Sequence, residues 1–329
     1  MGQLAKVDIT ILSWDRIDDT LKAIDSAVAQ QGIEQRVIVV DQGSEDSGLS
    51  RLRRHCEAIS CVTLVCNGSN SGVPGGRNIA ARQGDGDYLV ALDNDAEFID
   101  SFQVAKAVEV MRSDASLGAI AFRILRFGSN QDDLSSWSYH QSVSDWAGQP
   151  FFTDRFVGAG HMILRQAFEQ IGCYDDALFF LHEEVDLSKR LINIGYQIRY
   201  SPEVVIGHKV SAEHRVAWSA GRWRFDIRNK TYLHIKFRTF FPTFVFHTSL
   251  MMWRGIRSGL WWATISGVCQ GFAMAPAAIR FWSRPSSKAS AAAADYYQQC
   301  SPTKGMSLWR RVVLRLKSAK PVPMNVQGS

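Results

Sequence analysis

The chain has 329 residues, of which 46% are hydrophobic, ample for one large domain plus an appendage or for two small domains. Its six cysteines, Cys56, Cys61, Cys66, Cys173, Cys269 and Cys300, form no C-x-x-C pair and no Cys/His zinc spacing, which excludes a zinc module and fits scattered reduced thiols. The net charge of +5 hides an asymmetry: from Arg215 onward 18 Lys+Arg stand against two acids, Asp226 and Asp295, while the preceding part carries 19 basic and 30 acidic residues.

An acidic front and a basic rear suggest that the rear faces something anionic, and its apolar character favours a membrane surface over nucleic acid. Met1 to Val7 has no apolar signal-peptide core, so the domain is expected on the cytoplasmic side.

Val7 to Ser13 reads as a first strand, followed by Asp15-Arg16 in a loop. Asp18 or Asp19 is positioned to cap a helix in which Leu21, Ile24, Ala27 and Val28 recur at helical spacing, and Gly32 ends it. Val37 to Val40 is a fully apolar second strand closed by Asp41-Gln42-Gly43-Ser44-Glu45-Asp46. This strand–helix–strand rhythm predicts βαβ units and a mainly parallel sheet. Asp41, at a strand's C-terminal end, points into the ligand crevice; it either meets a base or ribose, or caps the next turn.

Cys61 to Cys66 makes a third strand. The stretch Asn67 to Asn78 then carries four glycines and Arg77, and a helix starting near Arg77 would aim its N-terminal amides at an anion. It is neither a Walker loop nor G-x-G-x-x-G. Tyr88 to Leu92 is a buried strand ending in Asp93-Asn94-Asp95. Two carboxylates one residue apart at a strand end suit a divalent cation shared with a diphosphate, although D-x-D is also an ordinary solvated turn.

Asp41 to Asp46, Asn70 to Asn78 and Asp93-Asn94-Asp95, in that order and spacing, resemble the nucleotide-sugar half of family 2 glycosyltransferases, including the rhamnosyltransferase-like enzymes of bacterial polysaccharide synthesis. The resemblance implies the α/β GT-A fold, a Rossmann-like mixed, mainly parallel sheet flanked by helices. It places Asp41 on the base, Asp95 on the metal and Asp93 on ribose or metal-bound water. The implied donor site is Asp41, Ser44, Asn70, Gly72, Arg77, Asp93, Asn94, Asp95 and Gly160.

Further along, Arg155 to Gly160 before Met162 to Arg165 resembles the family's Gly-Ala segment, with His161 either structural or facing the acceptor. Trp137, Tyr139 and Trp146 precede it; such aromatics stack on sugars or form core. Phe179 to Leu187 holds an acidic knot, Glu183-Glu184, at a helix start, where Asp186 and Arg190 can pair at i,i+4. In the family the second acid of the corresponding pair is the general base, normally an aspartate; that position is Glu184 here, with Glu183 its neighbour. Tyr196 to Pro202 and Val204 to His208 look like closing strands. His208 by itself reads as an ordinary histidine; in the resemblance it is a second ligand to the metal beside Asp95, Mn²⁺ or Mg²⁺.

The motifs span about Val7 to Asn229. Arg222 to Asn229 resembles the family's helix after the catalytic residues, where Arg228 and Asn229 reach a phosphate or pack. Ser258 to Ile279 then runs 22 residues without a charge, softened by polar residues and interrupted by Pro276. In-plane or re-entrant helices are favoured over a spanning hairpin, with a buried hairpin as the alternative. Arg284 to Thr303 reads as a linker and Ser307 to Lys317 as a basic amphipathic helix. The expected division is a catalytic domain 1–215, a helical membrane-associating appendage 216–283 and a flexible tail 284–329.

The resemblance implies an inverting, metal-dependent transferase that moves a sugar from a nucleoside-diphosphate sugar to a saccharide hydroxyl; the basic, apolar rear, which would hold the site at the inner face of the membrane, points to a lipid-linked acceptor in polysaccharide or cell-envelope synthesis. The alternative is a non-catalytic, sugar-nucleotide-binding membrane subunit of a polysaccharide synthase. A processive synthase is disfavoured because Q-x-x-R-W is absent: Ser219, not Gln, precedes Arg222-Trp223.

Overall fold

The structure, a computed structural model, describes residues 3–209 and 220–300. The chain forms two compact units, Met1–Val210 and Ser211–Ser329. In the first unit the elements run β1 (Lys6–Ser13), α1 (Ile17–Val28), β2 (Glu34–Asp41), α2 (Asp46–Glu57), β3 (Val62–Cys66), α3 (Gly72–Ala81), β4 (Tyr88–Leu92) and β5 (Ala96–Phe98). They continue with α4 (Gln103–Ser113), β6 (Leu117–Arg126), α5 (Val143–Trp146), β7 (Phe151–Phe152), β8 (Gly160–Leu164), α6 (Arg165–Gln170), α7 (Glu183–Asn193) and β9 (Gln197–His208).

One sheet runs β3-β2-β1-β4-β8-β6-β9-β5, with β7 on β9. The βαβ rhythm of the first hundred residues gives the parallel half, β3-β2-β1-β4. Val37 to Val40 are buried on both faces of β2, as a strand covered by helices on each side requires. Beyond β4 the sheet is mixed: β8 runs antiparallel to β4 and β6, and β5 and β7 antiparallel to β9, while β6 and β9 are parallel. The α/β fold with a mixed sheet and flanking helices is the one expected.

Several local expectations change. Neither Asp18 nor Asp19 caps α1; both lie in its first turn, and Arg16 holds the N-cap position in a left-handed conformation with φ 46°. The two closing strands are one, β9. Its register against β6 jumps from Phe122↔Ser201 to Arg123↔Val205, so Pro202 lies in a bulge where its missing N–H costs no ladder bond. Helix α3 begins at Gly72, so Arg77 lies in its second turn rather than at its start.

The second unit contains α8 (Ala220–Lys236), α9 (Phe241–Arg257), α10 (Trp261–Ala273), α11 (Ala275–Phe281) and α12 (Ala291–Cys300). Helix α10 lies on α8 at close range: a Cβ on Gly267 would sit 2.7 Å from the Arg224 carbonyl, and one on Gly271 2.7 Å from that of Arg228. Trp223 Nε1 donates to Thr264 Oγ1 across the same seam at 2.7 Å. The uncharged run breaks at Met274 into α10 and α11, and among the described residues no helix is long and apolar enough to cross a membrane. The expected linker contains α12. The basic segment Ser307 to Lys317 lies outside the described residues.

Candidate active site

Strand β4 delivers the D-x-D pair to the C-terminal edge of the parallel half. The Asp93 amide donates to the Ala159 carbonyl at 3.1 Å, so the Gly-Ala segment braces the turn, and Gly160 pairs with Leu92 one step below. Asp93 and Asp95 point to one place, and His208 at the end of β9 meets them; one ligand atom from each lies within 4.8 Å of the others. Two carboxylates and an imidazole form a donor set suited to Mn²⁺ or Mg²⁺.

His208 is held on both sides. Its Nδ1 donates to Asp133 Oδ2 at 3.1 Å, and its Nε2 lies 3.4 Å from Asp95 Oδ1. Desolvation pulls this imidazole down, but the bonds with Asp133 and Asp95 outweigh it and raise its pKa to about 10. Desolvation pushes Asp95 up, yet His208 and Arg16 hold it below the ordinary carboxylate range. Desolvation in the crevice leaves Asp93 above that range despite Arg77. Arg77 is buried, donating from Nη2 to Asp93 Oδ1 at 2.9 Å and to the Gly158 carbonyl at 3.3 Å.

Asp41 is buried at the end of β2, opposite Ser13 of β1. Its Oδ2 accepts the amides of Gly43 and Ser44, and its Oδ1 accepts the Ser44 hydroxyl. It therefore shapes the loop after β2, and Ser44 Oγ in turn accepts the Asp15 amide at 2.9 Å. The amides at the start of α3 are not open to an anion. Asn70 Oδ1 accepts from Gly72 N at 2.8 Å, the Phe179 carbonyl accepts from Val73 N at 2.8 Å, and Pro74 has no N–H. Gly72 has φ +74°, and a Cβ there would run into the Phe179 backbone. Asn94 turns away from the acids, donating to Thr20 Oγ1 on α1 at 3.3 Å.

The acidic pair opens α7 after a strained lead-in, with Phe179, Leu181 and His182 all at positive φ. Glu183 is buried, and its Oε2 has no hydrogen-bond partner among the described residues. Burial, then the Glu184 charge, raise its pKa well above the ordinary value, and Arg77 and Asp93 also act on it. Glu183 is thus within electrostatic reach of the D-x-D floor. Half-buried Glu184 acts in turn on Arg155, which is clamped to Asp154 by bonds of 2.8 and 3.0 Å. Asp186 and Arg190 form the expected i,i+4 pair, 2.6 Å apart and buried.

His161 is structural: its Nδ1 lies 3.0 Å from the Val157 carbonyl, its Nε2 2.9 Å from the Tyr174 hydroxyl, and its ring stacks on Phe156. Trp137 and Tyr139 pack with Phe151 and Tyr200 into an aromatic cluster, with Trp146 at its exposed edge. Arg228 donates from Nε to Asn229, a buried residue of α8.

Three site residues escaped the sequence reading. Arg16 donates to Asp95 Oδ2 at 2.7 Å, Asp133 holds His208, and Gln42 bridges the loops by accepting from Ser71 N and donating to the Gly72 carbonyl. The local signals were Asp15-Arg16 at one strand end and the place of Gln42 in the Asp41 to Asp46 block; Asp133 had none.

Among similar proteins, an "Uncharacterized protein" of Haemophilus influenzae is 26% identical over 170 residues, 50% of this chain and 91% of that protein. The "Probable glycosyltransferase YdaM" of Bacillus subtilis is 23% identical over 77% of this chain, and the "dTDP-rhamnosyl transferase RfbF" of Shigella flexneri 22% over 53%; the matches span 66% and 60% of those two proteins. Among solved structures, "Mannosyltransferase PcManGT from Pyrobaculum calidifontis in complex with GDP-Man and Mn2+" is similar with a TM-score of 0.53 and 19% identity, over 97% of this chain and 81% of that one. "GalNAc-T7 with UDP, GalNAc and Mn2+" is similar with a TM-score of 0.55 and 14% identity, over 72% and 51%. The fold is thus that of GT-A glycosyltransferases. Residues 8–172, half of the chain, match glycosyl transferase family 2, and the chain belongs to that family.

Proposed function

We propose that the chain is a metal-dependent inverting glycosyltransferase that moves a sugar from a nucleoside-diphosphate sugar to a hydroxyl of a lipid-linked saccharide, in polysaccharide or cell-envelope synthesis. The observation that carries this reading is the meeting of Asp93, Asp95 and His208, brought from the ends of β4 and β9 so that one ligand atom from each lies within 4.8 Å of the others. Asp95 and His208, with Asp93 beside them, would hold Mn²⁺ or Mg²⁺. Bound there, the ion supplies neutralisation of charge developing on the leaving diphosphate.

Arg77 fixes Asp93, and Asp133 fixes the imidazole of His208. The loop shaped by Asp41 and Ser44 forms the wall for base and ribose. Glu183 is buried, and desolvation and then the Glu184 charge push its carboxyl well above the ordinary value. Glu184, the half-buried second acid of the pair, takes the proton of the acceptor hydroxyl as its oxygen attacks the anomeric carbon from the face opposite the diphosphate. A single displacement needs one base and no covalent nucleophile, which agrees with inversion.

The basic, apolar rear suits attachment to the inner face of the cell membrane. Phe240 and Phe241 are 73% and 71% exposed, and Trp261 and Trp262 are exposed at the start of α10. Between residues 220 and 300 there are 11 Lys+Arg and two acids. Such a surface lies on a bilayer rather than through it.

The donor site is tested by calorimetric titration of UDP, dTDP and GDP with and without Mn²⁺, on the wild type and Asp95→Ala. The expected result is metal-dependent binding of one nucleotide, lost in the variant. Folded wild type that binds none of the three would overturn the reading.

A further inference from the structure

We propose that Arg16 is a latch on the metal site: its guanidinium occupies Asp95 until a divalent cation and a diphosphate arrive together, and then transfers to the diphosphate. The inference rests on the donor-site reading above and concerns how that site fills.

Both acids of the D-x-D pair already have cationic partners. Asp93 Oδ1 accepts from Arg77 at 2.9 Å; Asp95 Oδ2 accepts from Arg16 Nη1 at 2.7 Å, while Asp95 Oδ1 faces His208. A divalent ion taking Asp95 as a ligand would bring two positive charges to a carboxylate that a guanidinium is touching. In a partly dehydrated crevice that repulsion is weakly screened. Metal alone therefore binds against the charge of Arg16, with no new partner to draw the guanidinium off Asp95. A diphosphate that shares the metal removes the penalty, because its oxygens are themselves guanidinium acceptors.

The side chain is built for such an exchange. Asp19 holds the other edge of the guanidinium, accepting from Nη2 at 2.8 Å and from Nε at 3.2 Å. Nη1 can thus trade Asp95 for a phosphate oxygen while the group stays anchored. The backbone beneath is strained: Asp15 and Arg16 are consecutive non-glycine residues at φ 51° and 46°. That turn is pinned by the Asp15 amide on Ser44 Oγ at 2.9 Å and by Asp15 Oδ1 accepting from Glu45 N at 3.2 Å. Ser44 belongs to the loop shaped by Asp41, so a nucleoside seated there acts on the turn that carries the latch.

Metal and nucleotide should therefore bind with positive coupling that depends on Arg16. The test is an Mn²⁺ titration of full-length protein, followed by the electron paramagnetic resonance of the free ion, and calorimetry of UDP, dTDP and GDP at saturating Mn²⁺. Removing the latch in Arg16→Gln should tighten Mn²⁺ alone about tenfold and weaken the diphosphate about tenfold, within the usual range of coupling between sites. Arg16→Lys should move both in the same directions by a smaller factor, and it decides the question if Arg16→Gln does not fold. A folded variant whose affinity for Mn²⁺ alone is unchanged or weaker overturns the latch. Wild type that binds Mn²⁺ but no nucleotide overturns the donor reading and the transfer to diphosphate, while the Mn²⁺ titration still decides whether Arg16 competes for Asp95.

Discussion

The two glutamates that open α7 are neighbours in sequence and differ in environment. Glu183 is buried with Oε2 unpartnered among the described residues, whereas Glu184 is half-buried near Arg155. Environments that push paired acids apart separate their roles. Glu184→Gln is expected to lower single-turnover transfer by about 10²–10⁴-fold with nucleotide affinity unchanged, because only proton removal is lost. Glu183→Gln keeps the shape of a buried side chain that takes no proton in this reading and should stay within about tenfold of wild type. If Glu183→Gln is the more damaged of the two, the assignment of the base is reversed.

Between elements, the turn before α3 and the lead-in to α7 lock together. Gly72 at φ +74° backs onto the Phe179 carbonyl, and Asn78 exchanges two 3.0 Å hydrogen bonds with the Tyr174 backbone. Gly72→Ala combines a left-handed backbone with an overlap and should cost about 2 kcal/mol. A Tm lowered by roughly 4–8 °C in calorimetry would agree, and an unchanged Tm would show that the contact yields freely. His161 adds a pH dependence at the junction of β8 with the Tyr174 loop. Burial, helped by the charge of Arg77, lowers its pKa from 6.5 to about 3. The unfolded chain therefore takes the proton first as pH falls. The contribution is complete above about pH 6.5, declines below it and is gone once the folded pKa near 3 is passed. Denaturation by urea at pH 4 and pH 7 should show up to about 3 kcal/mol less stability at the lower pH, and His161→Gln should flatten that difference.

Over the whole molecule, charge and exposed apolar surface separate along the chain. The acidic front holds the donor-site motifs; the basic rear carries ten of the eighteen large hydrophobic residues that are exposed among those described. Copies of so basic a face repel one another, which favours an anionic bilayer over self-association. Full-length protein should sediment with vesicles containing anionic lipid and should be partly released by salt. Trp261→Ser with Trp262→Ser should weaken that binding several-fold. Equal binding to neutral vesicles would remove the electrostatic half of the argument, and no binding to either would remove the membrane reading.

The sequence by itself determined the strand–helix rhythm, the family and the acids at the strand ends. Those depend on short runs: apolar Val37 to Val40, Tyr88 to Leu92 with its D-x-D close, and the acidic start of α7. Strand endings place such residues in the crevice whatever the rest of the chain does. Only the tertiary structure decided what those acids touch. Arg16 reaches Asp95 across 79 residues, and Asp133 reaches His208 across 75. It also decided that Asn70 and Phe179 close the start of α3, and that His161 is a buried brace. No periodicity encodes contacts of that span. They follow from the order in which nine strands share one sheet, because that order sets which loop ends stand side by side.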